Sequence, residues 1–257
     1  STALSIPDNS TAVSIPDNST ADVIQQTIPN ATQSWQFDSS STAVDVELED
    51  GVNGTSLKLE GEGYLTEDVT STIDLSGLSL SAWVKPDYSQ GSPEFTVLSK
   101  ENAFVLAINN NIPPQKVAKF AVFDGIKWNT LESVTTIEEQ WTHLAATFGN
   151  SSISIYVNGN LESTLPITGI PTLAVNGQLK TATIDSISSD ADVVIGAYLS
   201  TKKGAIEASN QFSGLIDNVN LYDSLLEPTQ ITELYNQNAL SNQSNIDATA
   251  LEVLVNA

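Results

Sequence analysis

The chain has 257 residues, 40% of them hydrophobic, enough for one large domain with a sizeable core. Its 31 acidic residues against 9 basic ones give a formal net charge of -22, and every basic residue is a lysine. Such a surface repels nucleic-acid phosphates and anionic membranes and attracts cations, while the lack of cysteine and the single histidine, His143, exclude disulfides, thiolate chemistry and histidine-rich metal sites.

The first 34 residues read as a low-complexity repeat arm or linker. Ser1-Thr-Ala-Leu-Ser-Ile-Pro-Asp-Asn9 recurs as Ser10-Thr-Ala-Val-Ser-Ile-Pro-Asp-Asn18, and a third copy from Ser19 decays. Each unit alternates briefly like a strand and then turns at Pro-Asp-Asn. Two units are too few to bury a core of their own. The segment reads as a glycosylated stalk, or as an arm that adds a strand to a neighbour's open sheet edge. No signal peptide precedes it, as expected of a mature secreted protein, and no run is apolar enough to span a membrane. Six Asn-x-Ser/Thr sequons, at Asn9, Asn18, Asn30, Asn53, Asn150 and Asn242, read as N-glycosylation acceptors. A chain this rich in Asn, Ser and Thr also produces some by chance.

From Trp35 the pattern becomes that of strands. Val44, Val46 and Leu48 alternate with Asp45, Glu47 and Glu49, and Leu57 and Leu59 lead to Gly61 and Gly63. Leu78–Val84 is a strand stopped by Pro86. Strands follow at Phe95–Leu98, Ala103–Ile108, Val117–Phe123 and Trp141–Phe148. Ile153, Ile155 and Val157 run into Asn158-Gly159, a hairpin signal, and Leu161–Thr164 returns. Residues 165–192 are punctuated by Pro and Gly and resist assignment. Val193–Ala197 is a strand, 198–211 a polar loop, and Phe212–Tyr222 the last clear strand. One helix comes next, opened by Pro228, with Ile231, Leu234 and Tyr235 as its apolar stripe. The tail, 238–257, ends in Ala250-Leu-Glu-Val-Leu-Val-Asn-Ala257, an apolar end suited to docking on a partner.

Read as simple alternation, the last strand sets Leu215, Asp217, Val219 and Leu221 on one face. Asp217 is then the one charge on an apolar surface, and burying it costs several kcal/mol unless it is compensated. A bound cation, a cluster of backbone N–H groups, or a strand end open to water would each compensate it.

Ser79–Pro86, Val97–Lys100, Trp141–Phe148, Ile155–Gly159, Ser213–Tyr222 and Ile231–Tyr235 fall in an order that resembles the laminin-G-like, concanavalin-A-like jelly-roll superfamily, in its microbial extracellular branch. The resemblance covers residues 35–237. It implies an all-β, two-sheet antiparallel jelly-roll sandwich with one short C-terminal helix and extended N- and C-terminal arms. It also implies a structural calcium ion held by Asp217, the backbone at Gly61, and Asp38.

Asp45, Glu47 and Glu49 stand at i, i+2, i+4 on one strand face. Laminarinases and lichenases, relatives in fold, hydrolyse with a carboxylate ladder whose two working groups lie about 5 Å apart. Here the order of residue types differs and the segment lies too early in the domain. A solvated face is the better reading, and no residue is assigned a catalytic role. His143 has no Gly-x-Ser-x-Gly elbow to serve and reads as structural. Trp83, Trp128, Trp141, Tyr156 and Tyr222 are candidate sugar platforms. Trp83 and Tyr156 lie opposite in parity to Ala82, Val84, Ile155 and Val157, which places these two outward for glycan binding; the alternative is that aromatics fill both faces of the sandwich.

These readings predict a non-catalytic extracellular, cell-surface module, structural or adhesive. It would oligomerise or polymerise through its terminal arms and carry a structural calcium. A lectin-like carbohydrate-binding module is the second reading and a glycoside hydrolase the third. Neither nucleic-acid binding nor membrane insertion is expected.

Overall fold

The computed structural model describes residues 27–37, 46–67, 76–89, 92–173, 179–183, 187 and 189–239. In chain order its strands are β1 (Gln33–Trp35), β2 (Glu47–Asp50), β3 (Thr55–Glu60), β4 (Leu65–Glu67), β5 (Leu78–Pro86), β6 (Glu94–Lys100), β7 (Phe104–Asn109), β8 (Val117–Phe123) and β9 (Trp128–Thr136). Then come β10 (Thr142–Gly149), β11 (Ser152–Val157), β12 (Asn160–Pro166), β13 (Thr168–Leu173), β14 (Leu179–Thr183), β15 (Val193–Ile195), β16 (Tyr198–Lys202), β17 (Ala205–Ser209) and β18 (Ser213–Tyr222). Helix α1 occupies residues 228–239.

An eight-stranded sheet runs β12-β11-β10-β5-β18-β3-β2, with β1 also pairing with β18. A six-stranded sheet runs β4-β15-β6-β7-β8-β9. The two pack face to face around one apolar core, as expected of a jelly-roll sandwich. Alternation explains the core. Phe104, Leu106 and Ile108 of β7 and Ala118, Phe120 and Val122 of β8 point inward and are fully buried. Each buried phenylalanine of this set contributes about 2–3 kcal/mol by removal from water.

Strand β18 departs from simple alternation. Its pairing with β5 shifts register between Asp217 and Asn220, and Asn218 takes φ 47, the left-handed conformation of a β-bulge. The extra residue reverses the parity of the rest of the strand. Ile216, Val219 and Leu221 therefore all reach the central core, while Leu215 is absent from it. Asp217 is thus not on the face of Val219 and Leu221, contrary to the unbroken pattern.

Three further differences from the sequence expectation have local causes. Strand β9 is not expected from sequence, because as the last strand of its sheet it buries only Ser133 fully, while Val134 stays 79% exposed. Residues 198–211 are not a loop but the hairpin β16–β17, exposed throughout β17 and so without an apolar pattern to read. Its turn is set by Lys203 and Gly204, both at positive φ, as a two-residue hairpin turn requires. Residues 165–192 contain the hairpin β13–β14.

Helix α1 forms where predicted. Pro228 occupies its first position, and the Gln230 side-chain oxygen accepts from the Glu227 N–H at 2.9 Å, half of a capping box. Ile231 and Leu234 pack on Ala145, Tyr156 and Tyr222, forming a second apolar cluster outside the eight-stranded sheet. Ile28 and Ala31, just before β1, complete this cluster, and Gln230 Nε2 donates to the Thr27 carbonyl at 3.1 Å. The repeats over 1–26 and the tail beyond 239 lie outside the described residues, so the expectation of assembly arms rests on sequence alone.

Candidate functional site

The outward face of the six-stranded sheet carries a coherent surface. Alternation turns Val105 and Ala107 of β7 and Lys119, Ala121 and Phe123 of β8 away from the core. Val105, Ala107 and Ala121 form a small apolar floor on which Tyr198 packs. Register sets Phe123 opposite Trp128 and Lys119 opposite Glu132. At one end of the floor the rings of Phe123 and Trp128 lie 5.4 Å apart, and Tyr198 meets Trp128 edge-on at 6.3 Å. Trp128 is 36% exposed.

The β8–β9 turn fixes that tryptophan. Asp124 Oδ1 accepts from the N–H groups of Ile126 and Lys127 at 2.9 and 2.8 Å, and Oδ2 accepts from Asn129 Nδ2 at 2.9 Å. Burial pushes the Asp124 carboxyl upward, but these bonds together hold it below its ordinary value. On the other side stands the β16–β17 hairpin. The Glu101 carboxylate accepts from the Thr201 N–H at 2.9 Å, and the Thr96 N–H donates to the Asn210 carbonyl at 2.9 Å. Burial raises the Tyr198 phenol, and the Glu101 carboxylate adds to the effect.

The far end of the floor is polar. Lys119 pairs with Glu94, Asn210 Nδ2 donates to Glu94 at 3.2 Å, and Asn109 Nδ2 donates to Glu132 at 2.7 Å. Burial pulls the Lys119 ammonium down, and Glu132 opposes that shift. The Thr96 hydroxyl, paired across to Ala107 and fully buried, has no hydrogen-bond partner among the described residues. The face thus carries rings at one end, small apolar side chains between, and paired polar groups at the other. Val105, Ala107 and Ala121 are 7%, 0% and 5% exposed and Glu94 and Asn109 5% and 1%, so the part open to a ligand is the ring end, at Trp128.

The glycan platform expected from sequence is elsewhere and is closed. Trp83 is 4% exposed and Tyr156 3%. Both rings do take the outward parity expected of them, but α1 lies over that face: Tyr235 stacks on Trp83 at 5.6 Å, and Tyr156 lies in the cluster under Ile231. Neither ring can meet a sugar. His143 is wedged at 5.4 Å from Trp83 and 6.0 Å from Tyr235, fully buried, and burial lowers its imidazole to about 3. Its ring is packed as part of the interior between the sheet and α1.

Glu47 and Glu49 lie exposed on β2, facing Lys58. The Lys58 ammonium is 3.2 Å from Glu47, 3.8 Å from Glu49 and 3.4 Å from Glu60. Asp45 lies outside the described residues. An open groove of about 1010 Å³ runs here, between β2, β3 and the Lys85–Asp87 segment, without an aromatic ring in its lining. Glu47, Glu49 and Glu60 share Lys58 and stay 71%, 52% and 74% exposed, without the burial typical of a general acid.

Asp217 is fully buried. Its Oδ2 accepts from the N–H of Val52 at 2.8 Å and of Asn53 at 3.2 Å, and its Oδ1 accepts from the N–H of Asn218 at 2.7 Å. Gly61 is not part of this site. Its N–H donates to the Phe212 carbonyl, at the opposite end of β3, about 16 Å away along the strand. Asp38 lies outside the described residues. Among those described, no group of three or more His, Cys, Asp or Glu residues is placed to hold a metal. The N–H groups of Val52, Asn53 and Asn218 turn their positive ends toward the Asp217 carboxylate, an arrangement that suits an anion without a cation beside it. Of the sequons, Asn30, Asn53 and Asn150 are exposed, and Asn9, Asn18 and Asn242 lie outside the described residues.

The family model of the concanavalin A-like lectin/glucanases superfamily matches residues 59–232. No curated protein matches the chain in sequence. Among solved structures, domain 4 of AbnA, an extracellular GH43 arabinanase from Geobacillus stearothermophilus, solved with arabinotriose, superposes with a TM-score of 0.51 at 20% identity, covering 75% of this chain and 82% of that one. The ligand-binding domain of botulinum neurotoxin serotype D, solved with N-acetylneuraminic acid, gives 0.51 at 19%, covering 81% and 46%. The native heptameric SAP-like pentraxin of Limulus polyphemus gives 0.51 at 14%, covering 72% and 82%. The chain thus spans about half of the neurotoxin domain, and at these identities the likeness is one of fold.

Proposed function

This chain belongs to the concanavalin A-like lectin/glucanases superfamily, and within it we propose a non-catalytic, extracellular module that adheres by binding neutral glycans on the outward face of its six-stranded sheet. The observation that carries the reading is the exposed Trp128 ring, backed by Phe123 and Tyr198 and fixed by the Asp124 turn. The C–H side of a sugar ring lies on a flat aromatic surface of this kind.

Charge selects the sugar. Lys119 is already paired with Glu94, the neighbouring Glu132 and Glu101 are acidic, and the whole chain carries -22. An anionic sugar meets repulsion here, whereas a neutral one does not. The structural neighbours include an extracellular arabinanase domain solved with a neutral sugar, arabinotriose, and a neurotoxin domain solved with an anionic one, N-acetylneuraminic acid, so it is the charge of this face that favours the neutral class. A glycan-binding face fits the adhesive role read from sequence, with residues 1–26 and 240–257 as spacer or assembly segments; residues 27–34, expected from sequence to belong to the arm, instead join the domain through Ile28, Ala31 and β1.

The test is a screen of neutral and sialylated oligosaccharides, followed by titration of Trp128→Ala. Neutral oligosaccharides should bind, and the substitution should weaken them at least about tenfold, the effect of roughly 1.4 kcal/mol. Trp83→Phe, under α1, should leave affinity unchanged. Wild-type affinity in Trp128→Ala, or a screen blank for every neutral sugar, sinks the proposal.

A further inference from the structure

We infer that Asp217 is the anion of an internal amide cradle that takes the place of a structural cation, so that this sandwich folds without calcium. The residues of the β2–β3 turn make the cradle. Gly51 N–H donates to the Gly54 carbonyl at 2.9 Å, and Gly54 takes φ 81, which closes the turn. The successive N–H groups of Val52 and Asn53 then converge on one carboxylate oxygen, at 2.8 and 3.2 Å. Consecutive backbone N–H groups in a turn form a concave, electropositive nest that holds anions. The other oxygen accepts from the Asn218 N–H at 2.7 Å, and the bulge in β18 places that donor.

The arrangement opposes a cation in two ways. A calcium ion takes six to eight oxygens at about 2.3–2.6 Å. Here amide hydrogens, each the positive end of a dipole, point at the carboxylate from both β18 and the turn. The second obstacle is space. A Cβ at Gly51 would stand 2.3 Å from Oδ2 and 3.0 Å from Cγ of Asp217, so the backbone itself closes over the carboxylate. The Gly61 carbonyl, at the other end of β3, is out of reach. The cradle does the mechanical work expected of the ion: it ties the β2–β3 turn to a strand 165 residues away.

The experiment is a thermal melt of the full chain, stripped with chelator, against rising calcium, with magnesium at equal concentration as the control for screening of the acidic surface. The expected result is that calcium raises the melting temperature no more than magnesium does. Asp217→Asn keeps the side chain's size but turns an amide NH2 onto an N–H donor. It should lower the melting temperature by about 5–15 °C, equally with and without calcium. Gly51→Ala should lower it in the same way by displacing the carboxylate. A calcium-specific rise in the wild type that Asp217→Asn abolishes would overturn the inference. Should neither variant fold, the wild-type titration decides alone.

Discussion

His143 shows how much of a residue's behaviour depends on what covers it. Its ring sits between Trp83 and Tyr235, and burial lowers the imidazole from its ordinary 6.5 to about 3. The folded state therefore stays neutral while the unfolded chain takes up a proton below pH 6.5. Stability is fully present above that pH and is lost as pH falls toward the folded value, by about 2 kcal/mol at pH 5. Chemical denaturation between pH 7 and 5 should show this slope in the wild type and a flatter one in His143→Gln. The sequence carried the parity of Trp83 and Tyr156 but not their depth, because alternation reports which face a side chain takes and says nothing of what lies on that face. For Asp217, sequence chemistry left cation, amides and water open; the choice needed Val52 and Asn53, which a distant turn brings to it. Trp128 was among the aromatic candidates, but its strand, whose residues are mostly exposed, offered no pattern by which to rank it.

At the level of elements, α1 is the piece that redirects the functional reading. Its stripe of Ile231, Leu234 and Tyr235 was legible because it repeats at helical spacing, and Pro228 marked its start. Its docking site was not, since nothing in that stripe names the sheet face it covers. Ile231 is fully buried against Ala145, Tyr156 and Tyr222. Ile231→Ala should cost about 2–4 kcal/mol in urea denaturation, and Trp83 fluorescence should report solvent entry under the helix. Glycan affinity should not change, because Trp128 lies on the other sheet. The β16–β17 hairpin is the opposite case. Its five-residue β17 is exposed at every position, so its existence rests on the Lys203-Gly204 turn and on bonds such as Thr201 N–H to Glu101.

For the whole molecule, the two-sheet sandwich was readable because most of its strands bury one face, and the order of six sequence segments matched a known superfamily. Net charge was readable too, and it bears on both stability and binding. At -22 the folded chain repels itself, and salt screens that repulsion. Melting temperature should rise between about 10 and 300 mM sodium chloride, whereas affinity for a neutral oligosaccharide should change less than about twofold; a steep loss of affinity with salt would point to a charged ligand instead. The packing of Ile28 and Ala31 beside α1 has a mechanical meaning as well. Residues 27 and 239 both lie on the side of the eight-stranded sheet, opposite the face that carries Trp128. Strand β1 lies antiparallel along β18, which is held on its other edge by β5. Tension drawn through the N-terminal segment along the strand axis would load the β1–β18 ladder in shear, its hydrogen bonds sharing the force instead of opening one at a time.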